Sequence, residues 1–134
     1  MKVALVADSA VNIPEELLQE YRIQVVPLLF NLEDKTYRDT IDIKTPNELF
    51  ELIAKSKKFP TTSAPPPSAY LEVYRQLSQE TDNILCITIS SGLSMSFNAA
   101  TQAKEMAQSE LPGVNIQVFD SRTTVVAYGF IVLA

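Results

Sequence analysis

The residues of this chain best placed to hold a ligand are hydroxyls and backbone amides, not acids, bases or metal ligands. Ser90-Ser91-Gly92-Leu93-Ser94 follows the apolar run Ile84 to Ile89 and leads into a helical pattern over Ser94 to Gln108. A strand that turns at a glycine into a helix leaves free N–H groups and the positive dipole end at the turn. Hydroxyls beside those amides suit an anion, either a carboxylate or a phosphate. The turn has one glycine and no lysine, so it is neither a P-loop nor a dinucleotide fingerprint. The plain alternative is a helix capped by serine.

A second hydroxyl group, Thr61-Thr62-Ser63, lies in the segment Pro60 to Pro67, where four of eight residues are proline. Such a segment cannot be a helix interior or a central strand. It reads as a stiff, extended connection that costs little entropy to position. The plain alternative is an exposed linker. Asp8 and Asp120 each end an apolar run and precede serine, at Asp8-Ser9 and Asp120-Ser121. They read as caps or loop tethers. The functional alternative is a pair of carboxylates holding Mg²⁺ near Ser91, although no Asp-x-Asp or lysine-bearing phosphate motif accompanies them.

The absences are informative. The chain has no histidine and one cysteine, Cys86. A Ser-His-Asp triad, a Cys-His pair and a His-ligated metal cannot be built from it. We therefore read no catalytic residue, no metal ligand set and no cofactor here.

The elements that must position these groups alternate in type. Apolar runs predict strands over Lys2–Ala7, Ile23–Phe30, Ile84–Ile89 and Ile116–Phe119. Pro27 marks the second as an edge or kinked strand. Helices are expected with Pro14 at the first helical position, from the capping box Thr45-Pro46-Asn47-Glu48, across Tyr70 to Leu77, and over Ser94 to Gln108. Leu17, Leu18 and Tyr21 read as the buried side of the first helix. Asn31 to Asp39 reads as a turn with a short extended arm. Ala99, Ala100, Ala103 and Ala107 would let the last of these helices approach a sheet closely. The pattern is that of an α/β domain with a mostly parallel sheet flanked by helices. Ligands then bind at the carboxyl ends of the strands, where the serines lie.

The whole sequence has 134 residues, 46% hydrophobic and 20% charged, with a net charge of −5. That is enough apolar material for one folded domain, which excludes a disordered chain. An acidic chain whose densest basic patch is Lys55, Lys57 and Lys58 is not a general nucleic-acid binder. No run reaches membrane-spanning length, and the first residues lack the pattern of a signal peptide. With its lone cysteine in an apolar run, the chain is expected to be cytoplasmic.

Taken in order, these segments resemble the DegV family of bacterial fatty-acid-binding proteins. The resemblance runs through Val6-Ala7-Asp8-Ser9-Ala10, Ile13-Pro14, Val25-Val26-Pro27-Leu28 and Tyr37-Arg38-Asp39. It is strongest at Pro60-Thr61-Thr62-Ser63 and Ser90-Ser91-Gly92-Leu93-Ser94. Phe97-Asn98-Ala99-Ala100 and Val118-Phe119-Asp120-Ser121 complete it. It implies a lipid carrier, not an enzyme. A long-chain fatty acid, such as palmitate, lies between this N-terminal domain and a second one. Its carboxylate is held by Thr62, with Thr61 and Ser63 beside it, and by Ser91, Gly92 and Ser94. Thr62 and one of Ser91 or Ser94 are the expected direct contacts. The resemblance also implies, for some members, a separate fatty acid kinase subunit as partner, feeding phospholipid synthesis.

Two departures stand out. Met95-Ser96 occupies a place where the family pattern has Gly-Thr, and Ala64-Pro65-Pro66-Pro67 replaces Gln-Pro-Ser-Pro. Two rival readings are a metal-dependent enzyme acting on a phosphorylated small molecule and a regulatory domain without a ligand. Finally, Val125 to Leu133 is apolar and stops without a helix-ending residue. Residues 1–134 are therefore expected to be the first half of a two-domain carrier, binding fatty acid weakly alone.

Overall fold

The computed structural model describes residues 1–134. Four strands, β1 (Ala4–Asp8), β2 (Gln24–Val26), β6 (Asn83–Thr88) and β7 (Asn115–Asp120), form a parallel sheet in the order β2-β1-β6-β7. Helices α1 (Glu15–Glu20), α3 (Pro67–Ser78), α4 (Ser96–Glu110) and α5 (Val125–Leu133) cover it. A smaller antiparallel sheet, ordered β4-β3-β5, is built from β3 (Leu29–Leu32), β4 (Lys35–Arg38) and β5 (Thr61–Ser63). Helix α2 (Pro46–Lys55) connects β4 to β5.

Alternation along the strands sends apolar side chains to both faces, and each face has its own core. On one side Val6, Cys86 and Ile116 pack against Tyr70, Leu71 and Tyr74 of α3 and Ala99, Ala100, Ala103 and Ala107 of α4. The alanines are buried, as their spacing predicts, and let α4 lie close. On the other side Ala7, Ile87 and Ile89 meet Tyr128 and Val132 of α5.

Tyr128 does more than fill space. The register of β1 with β6 stops at Ala7 and Ile87. There the Tyr128 hydroxyl accepts the Asp8 N–H at 3.0 Å and donates to the Ile87 carbonyl at 2.6 Å. A side chain from α5 thus satisfies two buried backbone groups where the ladder opens. Gly129 follows because a Cβ there would sit 2.9 Å from the Asn12 carbonyl oxygen.

The expected single strand over Ile23–Phe30 is two strands in two sheets. Pro27 has no N–H to continue a ladder, and the chain crosses from β2 to β3 around it. The arm expected over Asn31–Asp39 is the β3–β4 hairpin, turning at Glu33 and Asp34, with Glu33 at φ 54°. Pro14 precedes α1 instead of opening it. Tyr21 lies just past α1 and is 56% exposed, so it is not part of that helix's buried side. The capping box is present as read: Thr45 Oγ1 accepts the Glu48 N–H, and the Glu48 carboxylate accepts the Thr45 N–H.

Candidate functional site

In a parallel sheet the helix after a strand starts at the strand's carboxyl end. Helix α4 therefore begins at that edge, and α3, which leads back into β6, begins there too. Their first turns meet: the Ser96 hydroxyl at the head of α4 faces the Tyr70 phenol of α3. The segments leading into the two helices are Ser90–Met95 and Thr61–Pro66. Both sequence-predicted hydroxyl groups thus lie at one edge of the fold. No hydrogen bond joins them.

Within the Ser90–Ser94 turn the serines have distinct tasks. The Ser90 carbonyl accepts the Leu93 and Ser94 N–H groups, and the Ser90 Oγ accepts the Gly92 N–H at 3.2 Å. Ser91 is held from outside. Its hydroxyl donates to Asp120 Oδ2 at 2.5 Å, and its N–H donates to Asp120 Oδ1 at 3.2 Å. A hydroxyl has one proton to give, so Ser91 has none left for a ligand. Ser94 differs: its Oγ accepts the Ser96 N–H at 3.2 Å and lies 2.9 Å from the Ser96 Oγ. Of the two serines named as direct contacts, the geometry favours Ser94.

Helix α4 begins at Ser96, two residues later than its sequence pattern predicts. The residue at its start, Met95, makes no side-chain cap. The first amide of α4, the Ser96 N–H, is taken by Ser94 Oγ, so only the amides after it keep the anion-binding property of a helix start. Leu93 and Met95, on either side of Ser94, are 66% and 61% exposed.

The Thr61–Ser63 segment is not a loop but an edge strand, and its pleat divides the three hydroxyls. Thr62 pairs with Phe30, which pairs with Tyr37, so these three share one face. Thr61 and Ser63 share the opposite face with Asn31 and Thr36. There Asn31 Nδ2 donates to Ser63 Oγ at 3.1 Å and Thr36 Oγ1 donates to Asn31 Oδ1 at 2.9 Å. A single ligand headgroup cannot take all three from one side. Thr62 stands beside the Phe30 ring, with Tyr37 one strand further on, whereas Thr61 and Ser63 are paired with Asn31 and Leu29. Seeing this requires the strand assignment; the spacing of three consecutive hydroxyls does not reveal it.

The two aspartates are tethers. Asp8 is fully buried; its Oδ1 accepts the Ala10 N–H at 3.1 Å and its Oδ2 the Ile89 N–H at 2.8 Å. Burial pushes its carboxyl up to about 6, against the opposing pull of the Ile89 and Ala10 amides. Ser9 continues the work: its Oγ accepts the Leu28 N–H at 2.9 Å, fixing the crossing from β2 to β3. Partial burial also pushes Asp120 upward. The Ser91 hydroxyl and the Arg122 and Ser91 amides outweigh that and hold its carboxyl below the ordinary carboxylate value. Gly92 sits where a Cβ would meet nothing closer than Ser90 Oγ at 3.5 Å. Its N–H is already taken by that same Ser90 Oγ, so Gly92 shapes the turn and offers no free amide.

Sequence reading missed two members of the site. Tyr70 reads as a core aromatic, and its ring is fully buried, but its hydroxyl has no hydrogen-bond partner. Ser96 reads as a departure from a pattern, yet it is the fully buried contact between Tyr70 and Ser94.

Known proteins match this arrangement over its whole length. Residues 2–134 match the model described as "Uncharacterised protein, DegV family". The chain belongs to the DegV family. A DegV domain-containing protein of Caldanaerobacter subterraneus is 36% identical over 132 residues, covering 98% of this chain and 45% of that protein. Among solved structures, a fatty-acid-binding DegV family protein from Thermus thermophilus superposes with a TM-score of 0.85 at 36% identity. It covers 99% of this chain and 45% of that one. A stearic-acid-binding protein from Eubacterium ventriosum gives 0.90 at 31% identity, covering 97% and 45%. The chain therefore spans less than half the length of these DegV relatives. No helix is long and apolar enough to cross a membrane.

Proposed function

We propose that this DegV chain holds the carboxylate of a long-chain fatty acid at the edge where α3 and α4 begin. Ser94 and Thr62 are the direct donors, with Gly92 in the same turn as Ser94. Thr61, Ser63 and Ser91 shape the surrounding loop and strand. The observation that carries the reading is the placing of the Ser94 hydroxyl between two exposed apolar side chains, Leu93 and Met95. The fatty acids named for the Thermus and Eubacterium proteins support it.

The chemistry is self-consistent. Hydroxyls and helix-start amides stabilise a carboxylate without a buried cation, each at roughly 1 kcal/mol. Most of the affinity comes from the tail, at roughly 0.8 kcal/mol per buried CH₂. In this reading the protein is a carrier, not an enzyme, and works in the cytoplasm. It needs no cofactor or metal, binds no nucleic acid, and presents its acyl cargo to a partner such as a fatty acid kinase subunit. Asp8 and Asp120 serve as loop tethers, since their carboxylate oxygens already receive N–H and O–H donors. The test is mass spectrometry of organic extracts from natively purified full-length protein. Co-purified long-chain acid is expected; extracts without it, and no thermal shift on adding palmitate, would overturn the proposal.

A further inference from the structure

Ser94 can serve an anion only if its single proton points outward, and nothing in the loop itself dictates that. In the Ser94–Ser96 pair either hydroxyl can be the donor. If Ser94 donates to Ser96, it has no proton for a ligand. The direction of one half-buried hydrogen bond therefore decides whether the candidate site is a donor or an acceptor.

Three features of the surroundings bear on that direction. Ser94 Oγ already accepts the Ser96 N–H at 3.2 Å, so it has one lone pair left. Ser96 is fully buried, so its own proton must find an acceptor within the protein. Tyr70, also fully buried, brings a phenol whose oxygen has no hydrogen-bond partner, with the Ser96 hydroxyl facing it.

We propose that Tyr70 and Ser96 form a directional relay that makes Ser94 an outward-pointing donor for a carboxylate. The inference rests on the fatty-acid reading above and adds two positioning residues to it. When the head of α4 settles around the ligand, the Tyr70 phenol donates to Ser96 Oγ. The Ser96 proton then goes to Ser94 Oγ. Ser94 Oγ, accepting from both the amide and the hydroxyl of Ser96, directs its own proton to the ligand. Every proton has an acceptor in this arrangement. In the reverse orientation the Ser96 proton goes to the Tyr70 oxygen, the buried Tyr70 proton is left without an acceptor, and Ser94 loses its donor. The chain of bonds also reinforces itself, because each donation makes the next hydroxyl a stronger donor.

The relay matters for a ligand that can only accept. An ionised carboxylate needs the outward proton, whereas the hydroxyl of a fatty alcohol of equal length can accept or donate and pairs with Ser94 in either direction. A purely structural role for Tyr70 predicts no such distinction, because removing an oxygen without a partner should not weaken the fold.

The experiment compares palmitate and 1-hexadecanol binding by calorimetry at pH 8 in full-length wild type, Tyr70→Phe, Ser96→Ala and Ser96→Thr. Tyr70→Phe should melt at or above the wild-type temperature, weaken palmitate roughly threefold to tenfold, and leave hexadecanol unchanged. Ser96→Ala should lose palmitate affinity to at least the same degree, while Ser96→Thr, which keeps the hydroxyl, should retain it. A folded Tyr70→Phe variant with unchanged palmitate affinity, or with equal losses for both ligands, overturns the relay but not the fatty-acid reading. A wild-type protein that binds neither ligand overturns both.

Discussion

Asp120, at the end of β7, holds Ser91 by both its hydroxyl (2.5 Å) and its N–H (3.2 Å), across 29 residues of sequence. One carboxylate thus fixes the shape of the turn that presents Ser94. It also removes Ser91 from the set of available donors.

Asp120→Ala should therefore loosen the turn without unfolding the domain. The expected stability loss is about 1 kcal/mol, the weight of an exposed hydrogen-bonded tether. Amide exchange at Ser91 and Arg122, whose N–H groups both donate to Asp120, should accelerate selectively. Uniform exchange rates in the two proteins would contradict the tether.

Asp8 should make the protein more stable at mildly acidic pH. Its folded pKa of about 6 lies above the ordinary aspartate value of 3.8, because burial penalises the charge. Between those values the folded state binds more protons than the unfolded state. The Asp8 contribution is thus greatest below about 4, falls as pH rises, and has been lost once pH passes 6. The full difference is about 3 kcal/mol, at 1.36 kcal/mol per unit. Asp42, held at about 2 by Arg38, works the opposite way, but only below the ordinary aspartate value. Urea unfolding at pH 5 and pH 7, with a carboxyl NMR titration of Asp8, checks this. An Asp8 midpoint below 4.5 would contradict it.

Tyr128→Phe should cost about 2–4 kcal/mol. It removes the hydroxyl that serves the Asp8 amide and the Ile87 carbonyl and leaves both buried and unpaired. Equilibrium denaturation measures the loss, and a change under 0.5 kcal/mol would show that the ladder closes without it.

Thr88→Val should behave in the opposite sense. Thr88 is fully buried and its hydroxyl has no partner. The near-isosteric valine removes an unsatisfied polar atom, so stability should hold or rise by about 1 kcal/mol. A loss above 1 kcal/mol would indicate that the hydroxyl is engaged in solution.

The elements that the sequence displays openly are those with a single strong cause. The apolar runs at β1 and β6 are strands covered on both faces, and β7, at the sheet edge, buries one face through Ile116 while Phe119 stays exposed. The buried alanines of α4 and the Thr45–Glu48 capping box appear where their patterns place them, although α4 starts at Ser96 and not at Ser94. The continuous run Ile23–Phe30 hides a change of sheet, since both halves are apolar and only Pro27 marks the break. Thr61, Thr62 and Ser63 look equivalent until pairing with β3 assigns them to opposite faces. Ser91 and Ser94 look equivalent until Asp120 is brought beside one of them. Tyr70 shows no sign in sequence that its phenol lacks a partner. In each case the missing information is a long-range contact that local spacing does not encode.

The central claim is that Ser94 and Thr62 hold a fatty acid carboxylate. The most direct measurement is calorimetric titration of palmitate into delipidated full-length protein and its folded Thr62→Ala/Ser94→Ala variant. One acid per protein is predicted, with affinity falling roughly tenfold to hundredfold in the double variant. Absence of binding in the wild type, or unchanged affinity in the folded double variant, would contradict it.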